Sequence, residues 1–89
     1  MKFEFDPKKS RANQVKHGID FVAGQAVFTD PRAIKHVPET SHEGEAYWKA
    51  VGQARGKLWT MIYVQRSGVI RIVSIRPAHD AEREQYEIE

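Results

Sequence analysis

The stretch "LWTMIYVQRSGVIRIVSIR" runs from Leu58 to Arg76 and consists of two apolar segments separated by Ser67-Gly68. β-branched and aromatic residues recur in both segments, which is typical of β-strands. A Ser-Gly pair between two such segments favours a two-residue hairpin loop. The stretch therefore predicts an antiparallel hairpin, which we place at the centre of the fold.

Further strands are predicted before this hairpin. "AYWKAVGQ" (46–53) would be joined to it by the four-residue loop "ARGK" (54–57). "KFEF" (2–5) alternates and predicts a short first strand, and "AIKHV" (33–37) predicts another. "PETSHEGE" (38–45) contains no large apolar residue and predicts a polar loop.

Two helices are predicted near the N-terminus. In "DPKKSRANQVKHG", Asp6 suits the cap, Pro7 the first turn and Gly18 the residue past the end. In "DFVAGQAVF", Asp20 suits the cap. The residues expected to be buried on the second helix are Phe21, Val22, Ala26, Val27 and Phe28.

A third helix is predicted from Asp80 to Glu89, with acids in its first turn. The order of elements predicts an α+β fold: a mainly antiparallel sheet of about four to five strands, two N-terminal helices and a C-terminal helix, with the helices on one face of the sheet. A chain of 89 residues is too short for two separate cores, so we expect one domain over residues 1–89.

The composition narrows the class of protein. No apolar run approaches the ~18 residues of a membrane-spanning helix, and "MKFEFDPKK" lacks the apolar stretch of a signal peptide. We therefore expect a cytoplasmic protein without membrane contact. The absence of cysteine excludes disulfides, thiol catalysis and thiolate metal sites.

The distribution of charge is more informative than the net charge of +2. From Ala46 to His79 the chain contains no Asp or Glu. The basic residues of this segment are Lys49, Arg55, Lys57, Arg66, Arg71 and Arg76. A basic block on a sheet favours binding to a polyanion, and the alternative is a set of solvated strand edges, where lysine is common.

The predicted hairpin also assigns side chains to faces, because opposed residues share a face. It places Val64 opposite Arg71 and Trp59 opposite Arg76. The predicted core face holds Thr60, Ile62, Val64, Val69, Val73 and Ile75, with Arg66 and Arg71 at its hairpin end. The second face holds Trp59, Met61, Tyr63, Gln65, Ile70, Ile72, Ser74 and Arg76.

Aromatic residues on the second face suggest a platform for RNA bases. Trp59 and Tyr63 would share that face with Trp48 and Arg76, and RNA is bound by stacking and by bidentate phosphate contacts. Lys49, Arg55, Lys57 and Arg66 would supply further contacts to RNA. The alternative is that the three aromatic residues belong to the core.

Candidate catalytic residues follow the last strand. The four histidines are too scattered for a metal site, and no nucleophile triad or glycine-rich phosphate loop is present. Arg76 ends the strand before Pro77, followed by His79, a residue type that exchanges protons near neutrality, and by Tyr86. Such a set is sufficient to cleave RNA without metal, since the substrate's 2′-hydroxyl is the nucleophile. Alternatively, Arg76 pairs with Glu82 or another C-terminal acid and fixes the last helix.

Three quoted segments together resemble the BrnT toxins of bacterial type II toxin–antitoxin modules. "FEFDPKKSRANQVKHGIDFVAGQAVFTDP" is similar to the family's opening, with its N-x-x-K-H-G and F-x-D-P motifs. "EAYWKAVGQARGKLWTMIYVQR" is similar to the central hairpin. "IRIVSIRPAHDAEREQY" is similar to the closing I-R-I-I-S-A-R-x-A-x-x-x-E-R-x-x-Y. The resemblance covers nearly the whole chain.

The resemblance implies a RelE-like fold, cleavage of RNA that arrests translation, and no cofactor. It also implies that the protein binds a BrnA-type antitoxin of the ribbon-helix-helix class. In such a complex only the antitoxin would bind operator DNA. Arg71 and Arg76 match family arginines, and Tyr86 matches the closing tyrosine. The chain departs from the family at Tyr47, where Arg is usual, at Phe5, where Trp is common, and at Ile75, where Ala is usual.

Two functional hypotheses remain open on the sequence alone. One is an endoribonuclease toxin with Arg71, Arg76, His79 and Tyr86 as its catalytic residues. The other is a catalytically weak or inactive homologue that binds the antitoxin and acts as a co-repressor. Tyr47 favours the second hypothesis, whereas the two arginines of "RIVSIR" favour the first.

Overall fold

The computed structural model describes residues 2–40 and 46–88. Over these residues it confirms the α+β fold, with five strands in a mostly antiparallel sheet and three helices. In chain order the elements are β1 (Lys2–Glu4), α1 (Pro7–His17), α2 (Gln25–Thr29), β2 (Ile34–Thr40), β3 (Ala46–Ala54), β4 (Lys57–Arg66), β5 (Val69–Pro77) and α3 (Asp80–Ile88).

The strands lie in the order β1-β5-β4-β3-β2, with β1 parallel to β5 and the other neighbours antiparallel. Ser67 and Gly68 form the predicted two-residue loop, with φ angles of 49° and 80°. Arg55 and Gly56 form a second such loop, with φ angles of 51° and 75°. The predicted four-residue loop is therefore wrong, because Ala54 already pairs with Lys57.

Strand β2 is longer than "AIKHV" predicted. It continues through Pro38 to Thr40, so the first three residues of the predicted polar loop belong to a strand. The ladder with β3 shifts register between His36 and Glu39. The rest of the predicted loop, with His42, lies outside the described residues.

Helix α1 has the predicted ends and an unusual buried face. The Asp6 carboxylate accepts a hydrogen bond from the Lys8 N–H at 2.8 Å, and Gly18 takes a left-handed φ of 85° past the last turn. Its buried residues are the polar Ser10 and Asn13. The Asn13 side chain donates to the Ile19 carbonyl at 2.8 Å and accepts from the Ile75 N–H at 3.2 Å. Amide hydrogen bonds therefore contribute to fixing α1 against β5.

The second helix is shorter than predicted. Asp20 accepts from the Ala23 N–H at 2.8 Å, but this bond closes a turn, and α2 begins only at Gln25. Val22 is 65% exposed and Ala26 is also exposed, so the prediction that both are buried is wrong. The buried side chains of this segment are Phe21, Val27 and Phe28.

A β-bulge in β5 changes which residues share a face. Ile62 pairs with Ser74 and Tyr63 pairs with Ile72, so Val73 is an extra residue. Beyond the bulge Thr60 lies opposite Arg76, and the predicted pairing of Trp59 with Arg76 is wrong. The bulge brings Arg76 to the same face as Arg71, although a regular strand would place residues five apart on opposite faces.

The core lies on the face that the sequence analysis assigned to RNA. Side chains of α2 and of the preceding turn pack there against Met61, Tyr63 and Ile72, all at most 2% exposed. Helix α3 lies on the other face, where Ala78 and Tyr86 pack against Val51. The predicted core face and the predicted placement of all helices on one face are therefore both wrong.

The glycine at position 52 supports the contact between α2 and the sheet. A Cβ added to Gly52 would overlap the Val27 carbonyl oxygen, a backbone atom that cannot rotate away. We expect Gly52→Ala to lower the free energy of unfolding by about 2 kcal/mol, the usual cost of overpacking. Urea denaturation would measure this, with Gln53→Ala at the exposed neighbour as control. Equal stability of the two variants would contradict this packing.

Candidate functional site

The sheet face opposite α1 and α2 collects most of the basic residues of the acid-free segment. We give the name basic sheet face to eight of the residues that cross-strand pairing places on this side. Its residues are Lys49, Thr60, Ile62, Val64, Arg66, Arg71, Ser74 and Arg76. Helix α3 covers one part of this face, while Arg66 and Arg71 lie exposed near the β4–β5 turn.

Glu82 of α3 is the centre of the covered part. Arg76 donates to both of its carboxylate oxygens, at 2.8 and 3.0 Å, in a bidentate pair. The Thr60 hydroxyl and the His79 N–H each donate to the Oε1 atom at 2.8 Å. The Lys49 ammonium lies 3.4 Å from the Oε2 atom. We call these five residues the Glu82 cluster.

Ionised Glu82 is strongly favoured by these partners. The hydrogen bonds from Arg76 hold its pKa far below the usual range, and they outweigh the burial that acts in the opposite direction. Two cations then face one anion, because both Lys49 and Arg76 lie against Glu82. The cluster therefore retains a net positive charge next to the open part of the sheet.

Arg71 is the more accessible of the two predicted catalytic arginines. Its side chain is 51% exposed and lies 3.3 Å from the equally exposed Glu4, a pairing that water screens. The Arg76 side chain is 24% exposed and is held by Glu82. The structure thus places both arginines on one face but in different states: Arg71 is accessible, and Arg76 is in an ion pair.

The two predicted proton-transfer residues are separated along α3. His79 precedes the first turn of the helix; its N–H belongs to the Glu82 cluster, and the residue is exposed. Tyr86 is buried, and its hydroxyl donates to Asp30 at 2.7 Å. This hydrogen bond, together with burial, raises the pKa of Tyr86. Tyr86 is therefore a poor proton donor for a substrate in this conformation.

The aromatic platform predicted for RNA bases is not on the open surface. Trp59 is 5% exposed and Tyr63 is 1% exposed, both within the core beneath α2. Trp48 is partly buried and stacks on Tyr63 with ring centroids 6.2 Å apart. The alternative interpretation, that these aromatic residues belong to the core, therefore holds. A small domain needs large side chains to fill its core. Of the other residues predicted to bind RNA, Arg55 and Lys57 are exposed at the β3–β4 turn.

The sequence analysis missed the roles of Lys49 and Thr60 around Glu82. One local signal was present: Glu82 follows His79 by three residues, the spacing of a capping box, and its carboxylate does accept the His79 N–H. Among residues 2–40 and 46–88, no group of three His, Asp or Glu side chains could hold a metal ion. None of the described helices is long and apolar enough to cross a bilayer.

The fold and this site together define a small α+β protein with a cationic sheet surface suited to a polyanion. The family model for the BrnT ribonuclease toxin of type II toxin–antitoxin systems matches residues 5–82. The chain therefore belongs to the BrnT ribonuclease toxin family, and an antitoxin is the partner that such membership implies. No curated protein matches the sequence closely enough to be counted as a relative.

Proposed function

We propose that this protein is a metal-independent endoribonuclease that cleaves RNA in the cytoplasm and thereby inhibits translation. The observation that carries the proposal is the basic sheet face, where a bulge places Arg71 and Arg76 on the same side of the sheet in a chain of a ribonuclease toxin family. Arginine suits this task because its planar group binds phosphate oxygens in a bidentate manner.

The proposed reaction uses the 2′-hydroxyl of the substrate as the nucleophile. A base removes the hydroxyl proton, the oxygen attacks phosphorus, and the leaving 5′-oxygen receives a proton. Arg71 and Arg76 would stabilise the negative charge that develops on the phosphate oxygens. We assign a proton transfer to His79 in preference to Tyr86, because the Tyr86 hydroxyl already donates to Asp30. Tyr86 would instead position α3.

Lys49, Arg55, Lys57 and Arg66 are proposed to bind RNA phosphates outside the reacting group. The proposed partner is a BrnA-type antitoxin of the ribbon-helix-helix class, which would cover the basic sheet face with acidic residues. Contact with operator DNA would occur through the antitoxin alone. Charge complementarity supports this assignment, since opposite potentials favour association and exclude other partners.

Arg71→Ala tests the proposal most directly, because the side chain is exposed and its loss leaves no buried charge. We expect cleavage of a model RNA to slow by about 10²-fold, the usual effect of removing one group that stabilises a transition state. The unfolding midpoint should stay unchanged. Arg11→Ala, which removes an exposed arginine from α1 on the other side of the sheet, should leave cleavage unaffected. Equal cleavage by both variants would contradict the assignment.

A second candidate function is an antitoxin-binding co-repressor without ribonuclease activity. The bidentate pair of Arg76 with Glu82 favours it, because that arginine is already occupied. Expression of the toxin alone separates the two candidates. Growth arrest with degraded RNA supports the ribonuclease, whereas normal growth with a stable antitoxin complex supports the co-repressor.

A further inference from the structure

A cleft of about 780 Å³ lies between the end of α1, the β3–β4 turn and α3. Its lining includes three basic side chains, Arg32, Lys57 and Arg83, together with His17. Glu87 is the acid that lines it. The cleft therefore has an excess of positive charge, and it lies outside the basic sheet face.

The cations that line the cleft are available to a ligand. Lys57 and Arg83 are exposed and form no ion pair within the described parts of the chain. The guanidinium of Arg32 lies 5.0 Å from the centre of the Tyr86 ring, a cation–π contact that orients the group without neutralising it. These side chains can therefore pair with an incoming anion.

The half-buried Asp30 next to the cleft forms no ion pair with these cations within the described residues. Asp30 lies behind Tyr86, and its oxygens accept hydrogen bonds from the Tyr86 hydroxyl at 2.7 Å, the Gln53 N–H at 2.8 Å and the Arg32 N–H at 2.9 Å. Burial raises the pKa of Asp30, but these bonds and the nearby charge of Arg32 outweigh burial and lower it. The bonds also fix the wall of the cleft. Asp30 thus organises the site and offsets part of the charge of Arg32, and it leaves Lys57 and Arg83 to the ligand.

Part of the lining of the cleft is apolar. Leu58, Pro77 and Trp59 contribute this part. Cations next to apolar side chains suit a nucleotide, whose phosphate needs cations and whose base needs apolar contact. An acidic peptide would use the cations but would leave the apolar side chains without a matching group.

We propose that this cleft is a second RNA-binding site, which holds a nucleotide of the substrate strand away from the bond that is cleaved. The phosphate would contact Arg83 and Lys57, and the base would lie on Leu58 and Pro77. Because Pro77 directly follows Arg76, a strand bound at the basic sheet face can continue into the cleft. This path of one RNA strand across both sites rests on the proposed ribonuclease function.

Arg83→Ala in the full-length protein tests the cleft. The probe is a short fluorescein-labelled single-stranded RNA whose 2′-hydroxyls are methylated, so that it binds without being cleaved. We expect the dissociation constant to rise about tenfold, the effect of losing one charged hydrogen bond. The slope of log affinity against log salt should fall by about 0.7, the value for one single-strand phosphate contact. Lys57→Ala should have the same effect, and Arg11→Ala none.

Cleavage of unmodified RNA, measured in parallel, separates this site from the proposed function. Loss of binding in Arg83→Ala, but not in Arg11→Ala, supports the cleft whether or not the wild type cleaves. Normal affinity and salt slope in Arg83→Ala, together with normal cleavage by the wild type, overturn the cleft and retain the ribonuclease. Unchanged RNA binding with a weakened antitoxin complex would assign the cleft to the protein partner and overturn the proposal. A wild type that does not bind the probe overturns it as well.

Discussion

Replacing Glu82 with alanine should lower the free energy of unfolding by about 4 kcal/mol, because removing one partner leaves the other charge poorly solvated. The Glu82 side chain is 10% exposed, and that of Arg76 is 24% exposed. Thr60, at 0% exposure, would lose its acceptor as well. For a domain of this size the melting temperature should fall by about 20 °C. Thermal and urea denaturation measure both quantities.

Glu84→Ala is the matched control, because it removes the same charge from an exposed position of the same helix. It should change stability by less than about 0.5 kcal/mol. Glu82→Gln should fall between the two, since it keeps an acceptor for Thr60 but loses the charge. If Glu82→Ala unfolds like the control, α3 does not depend on the Glu82 cluster.

Glu82 also makes the stability of the protein depend on pH in the acid range. The pKa of Glu82 in the folded protein lies far below 4.5, the ordinary value of a glutamate in an unfolded chain. A depressed folded pKa means that the contribution of Glu82 is complete above this value and is lost as the pH falls below it. Stability should therefore decline on acidification below about pH 4.5, and Glu82→Gln should show a shallower decline. If the stability of the wild type and that of Glu82→Gln decline equally as the pH falls, Glu82 is not the source of the acid sensitivity.

Replacing Arg76 should reduce RNA cleavage by about 10²-fold per folded molecule, if it binds the charge that develops on phosphate. Lysine at this position keeps the charge but loses the bidentate group, so Arg76→Lys should lose most of the activity as well. The structure adds a second expectation, because Arg76→Ala leaves the buried Glu82 carboxylate without its main partner. Arg76→Ala should therefore also be destabilised, by about 3 kcal/mol.

Activity must accordingly be measured well below the melting temperature and normalised to the folded fraction. The double variant Arg76→Ala with Glu82→Ala is informative, because it removes the unpaired carboxylate and should recover part of the stability. Its activity should remain low if Arg76 contacts the substrate. Normal activity per folded molecule in Arg76→Ala would show instead that Arg76 only fixes α3.

The order of the elements could be predicted because its signals are local. Asp6, Pro7 and Gly18 mark the ends of α1, and Ser67-Gly68 gives the register of the β4–β5 hairpin as far as Tyr63 and Ile72. The faces of Ser74, Ile75 and Arg76 could not be predicted, since one extra residue at Val73 reverses them and nothing in the alternating sequence marks the bulge. The choice between the two sheet faces depended on tertiary packing.

The site was predictable in part. The acid-free segment drew attention to Arg71 and Arg76, whose catalytic role stays a prediction, and the alternative pairing of Arg76 with Glu82 is the one observed. The contact of Tyr86 with Asp30 joins residues 56 positions apart, and no local pattern marks such a pair. The aromatic strand residues were assigned to RNA because burial cannot be distinguished from function by residue type alone.

The amide of Asn13 also protects the outer margin of the sheet against self-association. Strand β1 pairs with the first three residues of β5, and farther along the same strand the Ile75 N–H donates to Asn13 at 3.2 Å. A free N–H at that margin would be a template for an extended segment of another molecule, which is how sheets grow into aggregates. By placing a side-chain acceptor where a neighbouring strand would supply a carbonyl, α1 blocks the addition of a sixth strand at this position.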